Sequence, residues 1–233
     1  MKFKLGEILP QIYHLSFGSG YDLAMHFLRA QEYYESPKYW RKVFTLVDYM
    51  EWYSKEKGKG SFTYPADWSG FNVPSSVLLD LYGKPGVIPD FNRYDEFMKV
   101  IVDRLVKDCE GKDFYLIGTS EDGYKGDQDE EGVLMHEIAH GLYFVDQNYR
   151  NDMTTCLTYM LAKERMDAEV ALKNMGYHNS TVLDEIHAYA STGLCQALEG
   201  VLSEKTCEPF VAAFSSISKQ KFEERAAKLS ANK

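Results

Sequence analysis

The sequence lacks the patterns that mark a disulfide-rich or membrane-spanning protein. No stretch of about 18 apolar residues is present, which predicts that no transmembrane helix forms. Residues 1–20 interrupt their apolar positions with glycine, proline and charge, unlike a signal peptide. The few cysteines are widely spaced, without a C-x-x-C pair, as is usual for apolar side chains in a reducing compartment; they are Cys109, Cys156, Cys195 and Cys207. We therefore expect a cytoplasmic location.

The chain also lacks an excess of positive charge. It has 26 Lys and Arg against 35 Asp and Glu, a formal net charge of −9. Without a positive field, neither nucleic acid nor an anionic membrane surface is an expected partner. The 45% of apolar residues in 233 suffice for a packed core, so we expect one domain over 1–233. The oligomeric state is left open.

One short motif stands out against this background. His136, Glu137 and His140 form the pattern H-E-x-x-H. On an α-helix, histidines four residues apart share a face, so both imidazoles can bind one Zn²⁺. A carboxylate between them lies beside a metal-bound water, whose pKa the metal lowers from about 15.7 to about 7. Glu137 is therefore the candidate general base for hydrolysis of an amide bond.

The neighbouring residues favour the helix that this motif needs. Val133, Ile138 and Leu142 are apolar and Ala139 is small, which suits a helix buried on one side. Four acidic residues precede these apolar positions, and acidic residues in the first turn favour the start of a helix. They are Asp127, Asp129, Glu130 and Glu131. Residues 129–144 are therefore predicted to be helical.

With this motif the chain resembles the zincin metallopeptidases, and in particular their gluzincin branch. In that branch a glutamate on a later helix, in an E-x-x-A setting, is the third zinc ligand. Glu185 and Ala188 fit this pattern. The resemblance covers about residues 114–190 and implies Zn²⁺ held by His136, His140 and Glu185. A fourth position would stay open for water, as in catalytic zinc sites.

Other residues compete for the role of third ligand. Asp146 lies six residues after the motif, where the metzincin pattern H-E-x-x-H-x-x-G-x-x-H/D places its ligand. That pattern needs glycine at the position of Tyr143, because the chain must leave the helix with a positive φ. We therefore favour Glu185. Asp184 and His187 are further rivals that fit better as outer hydrogen-bond partners of the ligands.

Catalysis also needs a donor near the developing oxyanion, opposite Glu137. The candidates are Tyr189, Tyr177, His178, His187 and Tyr149. With 17 tyrosines in the chain, packing is the better explanation for any single one of them. The sequence therefore leaves this donor open.

Apolar spacing, capping residues and stop signals predict a mostly helical chain. We expect helices at 21–34, 36–57, 92–111, 151–176, 179–189 and 209–233, the last with a charged, frayed end. The aromatic side chains of the 36–57 helix are expected to pack in the core.

Two segments between these helices have a different character. Residues 61–90 mix aromatic and turn residues and predict a loop or short strand, interpreted as a cover on the core in preference to a wall of the substrate site. The apolar run 114–118 predicts a strand. Its position resembles the zincin edge strand that pairs with an extended substrate, and a buried structural strand is the other interpretation.

Together these patterns predict an α+β fold: a predominantly helical zincin-like domain with a small β-sheet before the metal-binding helix. We expect a helical N-terminal part with the aromatic loop at 1–112. The edge strand, the motif helix and the third-ligand helix follow at 113–200, and a helical tail at 201–233. The function expected is a zinc-dependent peptidase acting on a peptide or protein. The alternative is a catalytically inactive zincin-like binding or regulatory protein.

Overall fold

In the part of the chain that the structure describes, four strands form one mixed sheet between two groups of helices. The computed structural model describes residues 1–122 and 130–231, without the side chains of 130–131 and 226–231. The strands are β1 (Phe3–Leu9), β2 (Ile12–Phe17), β3 (Gly70–Pro74) and β4 (Tyr115–Ser120). The helices are α1 (Gly20–Glu35), α2 (Leu46–Glu56), α3 (Tyr64–Asp67), α4 (Ser75–Tyr82), α5 (Arg93–Asp108), α6 (Glu130–Val145), α7 (Gln147–Tyr159), α8 (Ala162–Met175), α9 (Val182–Thr192) and α10 (Glu204–Ala231). The expected α+β class, with a small sheet, is confirmed.

The strands lie in the order β1-β2-β4-β3. β1 and β2 form an antiparallel pair, β2 and β4 run parallel, and β3 lies antiparallel to β4. β4 is thus an inner strand, so the assignment of the 114–118 run as an edge strand is wrong. All of its residues are buried, as a continuous apolar run implies for a strand covered on both faces. The two edge strands are β1 and β3. β3, the edge strand beside β4, ends at Pro74, a residue tolerated at sheet edges.

Successive residues of the strands pack into two separate cores. Phe71 and Leu116 belong to a core with α1, α2, α4 and α5. Tyr115 and Ile117 belong to a core with α6 through α10. Neighbouring side chains of a β-strand point to opposite faces of the sheet, which explains why they alternate between the two cores. The sheet therefore separates the two groups of helices, and α6 lies on one of its faces.

The expected helix at 36–57 begins ten residues later than predicted. α1 continues to Glu35, and Ser36 is its C-cap, with an extended backbone (ψ 127°). A residue before proline is disfavoured in helical conformation, which is the case for Ser36 before Pro37. α2 starts at Leu46 behind its own N-cap, Thr45. The Ser-Pro pair thus ends one helix instead of starting the next.

The N-terminal part, 1–112, was expected to be helical, but it also contains three strands, β1, β2 and β3. β1 is largely exposed, so its sequence shows no clear apolar alternation. Residues 61–90 likewise contain α3, β3 and α4, with Tyr64 and Phe71 buried in the core. The segment expected to be a loop or short strand thus contains one short strand, β3, and two helices, and it continues the core.

Later boundaries agree more closely with the sequence. α5 begins after Asn92 in a capping box, as predicted, and α9 follows the predicted Thr181. The helix expected over 151–176 is divided into α7 and α8, and Gly176 (φ 107°) ends α8. No described helix combines the length and hydrophobicity needed to span a bilayer. The four cysteines are free.

Candidate metal centre

The centre lies where α6 packs between the sheet and α9. At Gly141, a Cβ atom would come within 3.0 Å of Ile12 and 3.2 Å of Tyr115 on the sheet. On α6 and α9, Ala139 and Ala188 are fully buried. Small side chains at these positions let the helix approach the strands closely and place it against α9. The expected helix at 129–144 agrees with α6, although Asp127 and Asp129 lie outside the described residues, as do the side chains of Glu130 and Glu131.

Three candidate ligands converge from these two helices. Nε2 of His136 and Nε2 of His140 lie 3.2 Å apart. The carboxylate oxygens of Glu185 lie 3.7 Å from the first and 3.6 Å from the second. Tetrahedral zinc with bonds of about 2.0 to 2.1 Å separates its ligand atoms by about 3.4 Å. The three groups could therefore hold a metal ion without rearrangement of the backbone.

The second ring nitrogen of His136 shows which tautomer the site favours. Its Nδ1 lies 3.4 Å from the hydroxyl of Thr192, and that hydroxyl donates to the carbonyl of Ala188 at 2.8 Å. Because the hydroxyl proton is already used, the hydroxyl oxygen accepts from Nδ1–H of His136. The lone pair is then on Nε2, the atom that faces the other ligands.

Behind His140 lies a carboxylate shared by two histidines. Asp184 has one oxygen 3.1 Å from Nδ1 of His140 and the other 3.1 Å from Nδ1 of His187. Nε2 of His187 lies 3.3 Å from the carbonyl of Ala139, to which it can donate. A carboxylate behind a ligand histidine fixes its ring and raises its basicity. Asp184 and His187 therefore lie where outer partners of a metal ligand are found.

The electrostatics of the centre favour a bound cation. Burial lowers the pKa of His140, but the carboxylates of Asp184 and Glu185 outweigh this and raise it to about 10. Burial would raise the pKa of Asp184, but His140 and His187 hold it below its usual range. Oε2 of Glu185 is buried without a hydrogen-bond partner among the described residues. An unpaired buried carboxylate oxygen is costly, and a metal ion would satisfy it.

Glu137 is held beside the ligands by the edge strand. It is buried, and its Oε2 accepts a hydrogen bond from Nδ2 of Asn72 at 2.6 Å. Burial raises the pKa of Glu137, opposed by His136 and His140. β3 has glycine next to this carboxylate: a Cβ atom on Gly70 would lie 2.9 Å from Oε1. The edge strand therefore leaves room for the carboxylate and orients it.

A cavity of about 470 Å³ opens onto this group of residues. His136, Glu137 and Glu185 line it, together with Tyr177 and Tyr189, whose hydroxyls lie 3.3 Å apart. Of the five candidate oxyanion donors, these two tyrosines are the ones that face the cavity. The others lie elsewhere: Tyr149 and His187 are buried behind α6, and His178 stacks on Trp40.

The other candidate third ligands have surroundings that differ from those of Glu185. Asp146 is the N-cap of α7, accepting from the backbone of Asn148 and Tyr149, and it forms an ion pair with Lys221. A second group that could hold a metal is His140, Asp184 and His187. Neither Asp184 nor His187 lines the cavity with Glu137. The group with Glu185 is thus the one that opens onto the cavity beside Glu137.

Two further residues belong to this site, Asn72 and Tyr115, and the sequence gives almost no sign of either. The hydroxyl of Tyr115 donates to Oδ1 of Asn72, which fixes the amide that faces Glu137. The only sequence signal was an asparagine between apolar residues, Phe71 and Val73, which is a weak indication of a buried polar contact.

Comparison of the chain with family models, with curated proteins and with solved structures returns no match.

Proposed function

We propose that the protein is a zinc-dependent metallohydrolase of the zincin type, and that it hydrolyses amide bonds in peptides or proteins. The observation that carries the proposal is the approach of His136, His140 and Glu185, 3.2 to 3.7 Å apart, at a cavity that also contains Glu137. A purely structural zinc site closes its coordination with protein and has no need of a base. Here the fourth side would be open.

Each group has a distinct part in the proposed reaction. His136, His140 and Glu185 would hold the metal, with Asp184 behind His140. Bound there, Zn²⁺ would supply an acidic water and polarise the carbonyl of the substrate. Glu137 would accept the proton of the attacking water and pass it to the leaving amine.

Other residues of the cavity are suited to binding the substrate. The hydroxyls of Tyr177 and Tyr189 can donate to the oxyanion. The edge strand, whose Gly70 and Asn72 line the cavity, is placed to pair with an extended peptide backbone by strand addition. In this proposal β3 has the role that the sequence resemblance gave to the 114–118 strand.

Metal analysis combined with a peptide mixture tests the proposal. We expect about one zinc per chain, lost on His136→Ala, and cleavage of peptides by the zinc-loaded protein. Glu137→Gln keeps nearly the same volume, so we expect it to retain zinc while hydrolysis falls by about 10² to 10⁴. Retained zinc without any cleavage would instead support the inactive binding protein. Cleavage by Glu137→Gln at the parent rate would exclude Glu137 as the base.

A further inference from the structure

A second cavity, of about 420 Å³, adjoins the one at the metal centre. Its walls are rich in aromatic side chains, from Tyr49, Trp52, Tyr53, Trp68 and Tyr177. This volume lies within the range of sites that hold small molecules or side chains. We call it the aromatic cavity.

The two cavities meet at shared residues. Gln31, Glu35, Trp68 and Tyr177 line both of them, and so does Asp67. A substrate with its scissile bond at the metal centre could therefore extend a neighbouring side chain into the aromatic cavity. Nothing in the proposed hydrolytic step uses this space.

Two buried carboxyl groups in the wall favour a cation. Glu32 and Glu35 line the aromatic cavity from the last turn of α1, and both are about 7% exposed. The C-terminal end of a helix carries partial negative charge, so acidic groups are unfavourable there, and α1 has no basic residue in its last turn. The two lysines of the lining, Lys38 and Lys57, are exposed at its surface. Burial raises the pKa of Glu32 to about 6 and the pKa of Glu35 well above its ordinary value. The buried lining thus has two carboxyl groups without a buried cationic partner among the described residues, and a cation bound there would favour their charged form.

Two contacts show what this space can bind. The ammonium of Lys38 lies 4.4 Å from the centre of the Trp52 ring, so this ring already attracts a cation. Gln31 is buried, and its Nε2 donates to Glu35 while its Oε1 has no hydrogen-bond partner among the described residues. A buried acceptor without a donor is costly. A ligand with N–H groups would supply that donor.

We propose that the aromatic cavity is a specificity subsite for a lysine or arginine side chain adjacent to the scissile bond. The inference rests on the proposed function of the metal centre. The aromatic walls would contact the methylene stem, and Glu32, Glu35 and Oε1 of Gln31 would receive the charged end. Desolvated cation–π and charged contacts of this kind predict a preference of roughly tenfold or more over an uncharged side chain of the same length.

Binding can be measured without catalysis by tryptophan fluorescence. The chain has three tryptophans, and two of them, Trp52 and Trp68, line the cavity. Trp40→Phe removes the third, so the remaining emission reports the cavity. The probes are the acetylated methylamides of lysine and of norleucine, titrated into the zinc-loaded protein. We expect the lysine probe to change the emission and to bind at least about tenfold more tightly. Equal binding of both probes, or no response to either, would overturn the proposal.

Variants assign the preference to the acidic groups. The double substitution Glu32→Gln and Glu35→Gln should remove the difference between the probes, whereas Glu51→Gln, on the exposed part of α2, should retain it. A difference that persists in the double variant contradicts the proposal. Because lost binding can also follow from misfolding, Lys38→Met supplies the opposite change: it frees the Trp52 face, so the lysine probe should bind several-fold more tightly. Unchanged or weaker binding there would also contradict it.

A catalytic series separates this inference from the proposed function. Matched peptides carry lysine, arginine, norleucine or glutamate, first on one side of the scissile bond and then on the other. We expect the protein to cleave the lysine and arginine peptides preferentially, and we expect the double variant to lose this preference. Cleavage without preference would overturn the subsite and leave the hydrolase. Tight lysine binding without cleavage of any peptide would overturn the hydrolase and leave the cation site.

Discussion

Asn72 donates a hydrogen bond to Glu137 at 2.6 Å and thereby connects the edge strand β3 to α6, the helix of the H-E-x-x-H motif. The orientation of its amide follows from its neighbours. A carboxylate accepts hydrogen bonds, so the NH₂ group faces Glu137, and Oδ1 then faces the hydroxyl of Tyr115. This chain of contacts holds the candidate base in one rotamer.

Removal of this contact should impair the chemical step and leave metal binding unchanged. For Asn72→Ala we expect kcat to fall by about 10- to 100-fold, the usual scale for outer partners, with KM and zinc content close to the parent values. Tyr115→Phe should act in the same direction with a smaller effect. The double variant should lose less than the product of the two single effects, because both act through one carboxylate. A rise in KM at constant kcat would show that Asn72 binds substrate instead.

Glu185 and Asp146 should respond to substitution in opposite ways. Glu185→Gln removes a charged ligand, so zinc content and hydrolysis should both be lost. Asp146→Asn leaves the candidate metal centre intact, keeps an N-cap acceptor for α7 and removes the ion pair to Lys221, so we expect full zinc content and a loss of at most about 1 kcal/mol in the free energy of unfolding. Zinc loss in the Asp146 variant, measured by metal analysis, would reverse the assignment of the third ligand.

Metal removal should reduce stability without unfolding the chain. The ligands join α6 to α9 across α7 and α8, so bound zinc stabilises the native state by about RT ln(1 + [Zn]/Kd). The two apolar cores extend well beyond the site, unlike those of a small zinc finger. A chelator should therefore lower Tm and abolish activity while the far-UV helical signal at room temperature is retained. Complete unfolding would show that the metal has a mainly structural role. An unchanged Tm would show that these residues do not hold a metal ion.

Glu32 predicts a distinct dependence of stability on pH. Burial raises its pKa from 4.5 to about 6. Below pH 4.5 the group is protonated in both states and contributes nothing. As pH rises from 4.5 to 6, the unfolded state ionises first, so the native state is progressively destabilised, by about 2 kcal/mol above pH 6. Glu32→Gln should thus be neutral near pH 4 and stabilising near pH 8. Denaturant unfolding at both pH values measures this, and an equal effect at both would refute it.

Half of the candidate metal centre is local and can be recognised in the amino-acid sequence. The spacing of His136 and His140 on one helix, the helix that carries Glu185 and the capping residues of α5 depend on contacts within a few residues of each other. Side-chain directions on a helix repeat every 3.6 residues, so such pairs can be read from sequence alone. The interior character of β4 was also present in its apolar run, although its position resembled that of an edge strand.

The distant residues that complete the site are set by the packing of the whole chain. Asn72 reaches Glu137 because β3 pairs with β4 at the edge of the sheet, and Glu35 reaches the cavity because it is the last residue of α1. Neither contact has a local signal: strand order and the approach of helices follow from packing of the whole core. A polar residue in an apolar strand, or an acid at the end of a helix, is unfavourable in isolation. Its partner becomes visible only when the chain is folded.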